Sequence, residues 1–249
     1  MLWRQVALEA VDSTNEEAKR RAEAGEAEGL AITARRQTAG RGRRGRQWES
    51  PDGNLFVSML LRPSRPPMEA ATLSFLSCLA MAEAVERVAP HLGPGLACKW
   101  PNDLLLNGAK LCGILLESRN KPGNDGMGGG IDYLIIGIGV NLVYHPADTP
   151  YPATDLAAHG VAVTREEFLA VLLDRIGDWY DRWSLQGFAP VREAWLKRAQ
   201  GLGQKIVVRL QASELHGRFK ALDDTGALVL ETADGATRIV TAGDVFPAA

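Results

Sequence analysis

An arginine- and glycine-rich stretch, residues 38–54 (TAGRGRRGRQWESPDGN), constrains the fold most, because of what flanks it. It contains Gly40-x-Gly42-x-x-Gly45, the spelling of a dinucleotide fingerprint, and falls one residue short of a P-loop. Both of those folds need a helix directly after the last glycine, since the helix N-terminus holds the phosphates. Here Pro51-Asp-Gly makes a turn, and residues 55–61 (LFVSMLL) alternate as a strand. Residues 30–33 (LAIT) read as a strand on the other side. A protein-kinase glycine loop also lies between strands, but neither His-Arg-Asp nor Asp-Phe-Gly follows. The loop therefore joins strands and serves none of these three folds.

The remaining signals fill in the chain. Residues 6–11 read as a strand, and Ser13 with Glu16 has capping-box spacing for a helix running to about Gly25. Residues 68–89 read as a helix closed by Gly93-Pro94. Residues 96–100 and 111–117 read as strands around an Asn107-Gly108 hairpin turn. Residues 119–130 read as a loop and 134–142 as a buried strand. Thr164 with Glu167 is a second capping box. The Phe168, Leu172, Ile176, Trp179, Tyr180 and Trp183 that follow keep helical spacing, which predicts core. From Gln204 onward, short alternating strands separated by Asp224-Thr-Gly226 and Asp234-Gly235 predict a small β-barrel. The expected division is residues 1–202 as one unit and residues 203–249 as the barrel.

Composition narrows the function. Among 249 residues, 46% hydrophobic and 23% charged is ordinary for a globular chain. A net charge of −2 argues against a nucleic-acid binder that relies on counterion release. Basic residues are instead local: arginines 35, 36, 41, 43, 44 and 46 with no acid between them, which suits a small anionic ligand. Cys78, Cys98 and Cys112 form no C-x-x-C pair, so free thiols of a reducing cytosol are expected, not a metal site. The acids near the N-terminus do not suit a signal peptide, and the uncharged residues 70–82 are too few to span a bilayer. A soluble, cytoplasmic protein is the expectation.

Three segments carry candidate chemistry. In the loop, Gly40, Gly42 and Gly45 let backbone close over a ligand, while Arg41, Arg43 and Arg46 project forked donors for carboxylate or phosphate. Trp48 offers either a stacking face or an anchor. So cationic a loop is expected to order only when an anion binds. In residues 99–118 (KWPNDLLLNGAKLCGILLES), Asn102 and Asp103 stand where a strand stops, Lys110 lies across the hairpin, and Gly113 interrupts an apolar strand. Asp103 could equally cap a turn. In Gly137-Ile-Gly139-Val-Asn141, the buried amide of Asn141 needs partners, as a turn clamp or as a reader of a base edge.

Together these segments resemble the catalytic domain of bacterial biotin protein ligases (biotin–[acetyl-CoA-carboxylase] ligases). The matching pieces are Asp12-Ser-Thr-Asn15, the run from Gln37 to Arg46 with Trp48, Lys99-Trp-Pro-Asn-Asp103, Lys110-Leu-Cys-Gly-Ile-Leu115 and Gly137-Ile-Gly-Val-Asn141, in the family's order and spacing. The resemblance implies an α/β (α+β) fold, a mixed β-sheet with helices packed on one side plus a small C-terminal β-barrel domain. It also implies two chemical steps. Biotin, the substrate, is activated with Mg2+ and ATP to biotinoyl-5′-AMP, and a lysine of the biotin carboxyl carrier protein then takes the acyl group.

By the same resemblance, Ser13, Thr14, Asn15 and Gln37 surround biotin's ureido ring, and Arg41, Gly42, Arg43, Lys110 and Gly113 complete the biotin site. Arg43, Arg46, Trp48, Lys110 and Asn141 belong to the ATP site. Lys110, Arg43 and Asp103 are the implied catalytic residues. Asp103 either orients the acceptor lysine or holds the lysine cluster and metal, whose ligands stay open. A homodimer is implied as well. Bifunctional members carry a helix-turn-helix repressor domain before Asp-Ser-Thr-Asn; that segment starts here at residue 12, so the monofunctional class is expected. A lipoate ligase, with the same fold and acyl-adenylate chemistry, is the alternative.

Overall fold

The computed structural model describes residues 1–121, 129–149 and 151–248. Seven strands form one mixed sheet: β1 (Arg4–Val11), β2 (Leu30–Gln37), β3 (Leu55–Leu61), β4 (Leu96–Lys99), β5 (Asp103–Leu106), β6 (Ala109–Lys121) and β7 (Gly129–Val140). Their order is β1-β2-β3-β7-β6-β5-β4. Helix α1 (Thr14–Glu23) carries the chain back between β1 and β2, so that pair is parallel; the other neighbours are antiparallel.

Side chains alternate between the two faces of the sheet. On one face Ala31, Val57, Met59, Leu61, Ile136 and Ile138 join the large core with the helical layer. That layer is the short α2 (Pro67–Ala70), then α3 (Leu73–Val88), α4 (Arg165–Gln186) and α5 (Ala189–Leu196). On the other face Leu30, Ile32, Leu60 and Ile135 meet Ala18 and Ala22 of α1. Strand β3 is covered on both sides, which is why all seven of its residues are buried. Helix α1 has ten residues and lies over β2, β3 and β7. It leaves the part of that face over β6 and the end of β7 to be lined by other residues, and the site forms there.

Several sequence expectations change. Residues 103–106 form a strand of their own, so the Asn107-Gly108 turn joins β5 to β6 and not β4 to β6. Of the expected loop at 119–130, residues 119–121 extend β6 and 129–130 begin β7; residues 122–128 lie outside the described residues. Thr164 and Glu167 do form a capping box, but Ser13 makes no side-chain cap, and Glu16 pairs with Lys19 and Arg41. Pro67–Val88 taken whole is long and apolar enough to cross a bilayer, yet it is mostly buried beneath α4 and α5.

The C-terminal strands are β8 (Lys205–Arg209), β9 (Glu214–Leu222), β10 (Leu228–Glu231), β11 (Thr237–Val240) and β12 (Asp244–Pro247). They form an open antiparallel sheet in the order β11-β10-β9-β8-β12, and among the described residues no barrel closes. Closure would need a ladder between β11 and β12, but the last strand crosses to β8 at the opposite edge. The apolar side has another partner. Ile206, Val208, Phe219, Leu222, Leu228 and Leu230 belong to the same core as the helical layer, so the sheet buries its face without curling on itself. Trp100 Nε1 donates to Gly226 O at 3.0 Å across this seam.

Candidate active site

Glycines create the site. On the face shared with α1, strands β6 and β7 place Gly113 opposite Gly139, next to Gly137. A Cβ at Gly139 would come within 2.5 Å of Trp48, and one at Gly113 within 2.8 Å of it. A Cβ at Gly137 would meet Asn15 Oδ1 at 2.1 Å. Missing side chains thus leave a trough in the sheet, where Trp48 and Asn15 lie against backbone. A cavity of about 570 Å3 follows the trough.

One end of the cavity is lined by uncharged side chains and densely hydrogen-bonded. Thr14 gives its backbone N–H (2.8 Å) and its hydroxyl (3.0 Å) to Gln37 Oε1. Gln37 Nε2 donates to Ser50 Oγ at 2.9 Å. Ser58 of β3 lies 2.8 Å from Thr14 Oγ1 and 2.5 Å from Asn15 Oδ1, and Asn15 Nδ2 donates to Glu117 at 2.7 Å. Ser13, Thr14, Asn15 and Ser58 are all buried.

The other end is cationic. The loop between β2 and β3 closes on itself through Gly42 N–H to Arg46 O (2.7 Å) and Trp48 N–H to Gly40 O (2.9 Å), with Arg44 and Gly45 at positive φ making the tight turn. The loop is therefore hydrogen-bonded within itself. Its arginines are tied down too. Arg41 pairs with Glu16, Arg43 Nη1 donates to Asn102 Oδ1 at 3.1 Å, and Arg44 and Arg46 both pair with Asp244 of β12. Lys110 Nζ lies 2.8 Å from Asp103 Oδ1 as an ion pair without hydrogen-bond angles, and 5.4 Å from the Trp48 ring centre. Lys99 Nζ sits 4.2 Å over the Tyr151 ring.

Desolvation marks this end electrostatically. Burial pulls the Arg43 guanidinium below its usual range, partly opposed by the charges of Asp244 and Asp103. Burial likewise lowers the Lys99 ammonium. For Asp244 burial pushes upward, but the hydrogen bond from Arg46 and the charges of Arg46, Arg44 and Arg43 outweigh it and hold the carboxyl low. Charged donors held away from water act strongly on an anion brought between them.

Every sequence-predicted site residue lines this one cavity: Ser13, Thr14, Asn15 and Gln37 at the uncharged end, Arg41 to Arg43, Arg46 and Trp48 along the loop, and Asp103, Lys110, Gly113 and Asn141 on the strands. Asn141 acts as a clamp, its Nδ2 donating to Thr154 O at 3.0 Å. Trp48 is anchored over the glycines, with Nε1 buried and without a partner among the described residues. Sequence reasoning missed Ser58, Glu117, Tyr151 and Asp244. A lone serine in an apolar strand was a readable signal for Ser58. Nothing local marks Asp244, which reaches Arg46 across 198 residues of chain. The three cysteines are free and buried, and burial raises the thiols of Cys78 and Cys112, which disfavours the thiolate at those two positions.

A family model described as the biotin/lipoate A/B protein ligase family matches residues 7–141, and one described as the biotin protein ligase C terminal domain matches residues 201–246. A biotin–[acetyl-CoA-carboxylase] ligase of Paracoccus denitrificans is 42% identical over 248 residues, covering 96% of this chain and 98% of the relative. A bifunctional ligase/repressor of Bacillus subtilis is 32% identical over 240 residues, covering 94% of this chain and 71% of the relative. The solved biotin protein ligase of Aquifex aeolicus in complex with biotin and ATP matches with a TM-score of 0.78 at 27% identity, over 98% of this chain and 97% of that one.

Proposed function

The chain belongs to the biotin/lipoate A/B protein ligase family and is an AMP-forming biotin protein ligase, and from that premise we propose what each part of the cavity does. The uncharged end takes the ureido ring of biotin, and the cationic end takes the triphosphate of ATP. The observation carrying this reading is that a single cavity joins Thr14, Asn15 and Gln37, with the buried Ser58 bonded behind them, to Arg43, Arg46 and Lys110. Biotin's carboxylate then lies where the two ends meet.

In the first step a carboxylate oxygen bonds to the α-phosphorus while the bond from phosphorus to the β-phosphate oxygen breaks, and pyrophosphate leaves with that electron pair. Two anions must approach each other, so cations at the meeting point lower the barrier. Lys110 bridges carboxylate and α-phosphate, Arg43 neutralises the reacting phosphate, and Arg46 leaves Asp244 to follow the departing phosphates. Arg41 and Gly42 close over the acyl chain, and Gly113 gives it room. Trp48 and Asn141 face the adenine. In the second step the neutral amine of an acceptor lysine bonds to the acyl carbon, AMP leaves, and the amine loses its extra proton to solvent.

Among the described residues no group of three or more His, Cys, Asp or Glu side chains could hold a metal. Asp103 and Asp244 are each paired with a cation. Such a donor set suits Mg2+ only as Mg-ATP, held mostly by phosphate oxygens and water, with Asp103 the carboxylate that would face it. There Mg2+ would offset phosphate charge. The acceptor is proposed to be a biotin carboxyl carrier domain, the setting cytoplasmic, and the assembly a homodimer, which sedimentation would check. Residues 1–202 are proposed to hold the chemistry, with residues 203–249 lending Asp244.

The test of acid choice is pyrophosphate release with biotin and with lipoate. Release with biotin and little with lipoate is expected; the reverse would favour the lipoate-type reading.

A further inference from the structure

We infer that Glu117 sets the donor–acceptor polarity of the uncharged end of the cavity, so that this end reads N–H groups on its ligand. The inference rests on the reading that biotin's ring enters here. A carboxylate only accepts hydrogen bonds. Glu117 Oε2 takes Asn15 Nδ2 at 2.7 Å, and Oε1 takes Lys19 Nζ at 2.6 Å and lies 3.6 Å from Arg41. The Asn15 amide cannot turn around without putting Oδ1 against that carboxylate. Its Oδ1 is thereby held over Gly137, toward Ser58.

The opposite side of the cluster is fixed as well. Ser50 Oγ donates to Trp48 O at 2.9 Å, so it must accept from Gln37 Nε2. Gln37 Oε1 then faces Thr14 and takes both its N–H and its hydroxyl proton. Thr14 Oγ1 is left as an acceptor only. Ser58 has one hydroxyl proton and two acceptors in reach, Thr14 Oγ1 and Asn15 Oδ1, and serves one at a time. Among the described residues the buried cluster is one donor short, an expensive condition for buried oxygens. A ligand N–H supplies the missing proton. Biotin's ureido ring carries two; the dithiolane ring of lipoate carries none. Glu117 touches no reacting atom in this scheme and is a positioning residue.

Calorimetric titration of biotin, and of the two analogues methylated at one or other ring nitrogen, tests this. Glu117→Gln lets the Asn15 amide reverse and should weaken biotin by roughly 10-fold or more. The analogue methylated at the nitrogen read here, already weak on the wild type, should lose nothing further. Adding Asn15→Asp to Glu117→Gln should recover most of the affinity, since an amide at 117 donates to one carboxylate oxygen and the other remains an acceptor. Ser50→Ala, which frees Gln37 to turn, should reproduce the analogue pattern from the other side and serves if Glu117→Gln does not fold. Equal biotin binding by wild type and Glu117→Gln overturns the inference. So does an equal loss for biotin and both analogues without rescue. A wild type that binds ATP but no biotin would instead overturn the reading of the cavity.

Discussion

Lys110 combines an ion pair to Asp103 with the face of Trp48, and it reaches into the cavity from the start of β6. If it meets charge that develops only as the acyl–phosphate bond forms, Lys110→Ala should slow pyrophosphate release by two orders of magnitude or more, about 3 kcal/mol. Its thermal midpoint should stay near the wild type, because the side chain is partly exposed. Normal release by the folded variant would contradict the role. Arg43 predicts a different defect. It sits mid-loop and desolvated, bonded to Asn102, and can hold a reactive acyl-adenylate until the acceptor arrives. Arg43→Gly should release biotinoyl-5′-AMP faster, by roughly 10- to 100-fold, and label lysines of a bystander such as albumin. An unlabelled bystander despite continued pyrophosphate release would contradict it. Both residues were legible in the sequence, since each stands inside a run of unusual composition. Glu117 was not, and for Ser58 the sequence shows only a lone serine in an apolar strand; the role of each comes from Asn15, which reaches them only when α1 docks on the sheet.

Strands β6 and β7 make the trough by omission, so filling it should be costly. Gly139→Ala places a methyl 2.5 Å from Trp48 and should expel the ring, cutting adenylation while the backbone, at an ordinary φ, stays unstrained. Retained activity in that variant would show the trough is not needed. Strand β12 acts through one side chain. Asp244→Asn should free Arg44 and Arg46 and speed amide exchange over residues 40–48 at neutral pH. The pH sign follows from the lowered carboxyl of Asp244: the latch is complete above the ordinary carboxylate range near pH 4 and is lost as pH falls through its lowered value. Identical exchange in variant and wild type would refute the latch. The position of the loop between two strands was readable from the missing helix after Gly45. The separate strand β5 was not, since four residues abutting a turn give no period to detect.

The chain as a whole closes one large core around two sheets, and that is where the expectation of a barrel failed. Short alternating strands look alike whether a sheet curls on itself or lies against something else; only the partner of its apolar face decides. Here the partner is the helical layer, joined through Trp100 Nε1 and Gly226 O. Trp100→Phe should lower stability by about 1–2 kcal/mol and leave a single unfolding transition, since both sheets share the core. Two separate transitions in a calorimetric scan would contradict a shared core. The most direct check on the chemistry is native mass spectrometry of the chain incubated with biotin and ATP and no acceptor. Biotinoyl-5′-AMP should appear bound without a covalent link, and adding a biotin carboxyl carrier domain should discharge it while the carrier gains a biotinoyl group on lysine. A chain that never accumulates the adenylate, or one whose adenylate persists beside an unmodified carrier, would contradict the two-step use of the cavity.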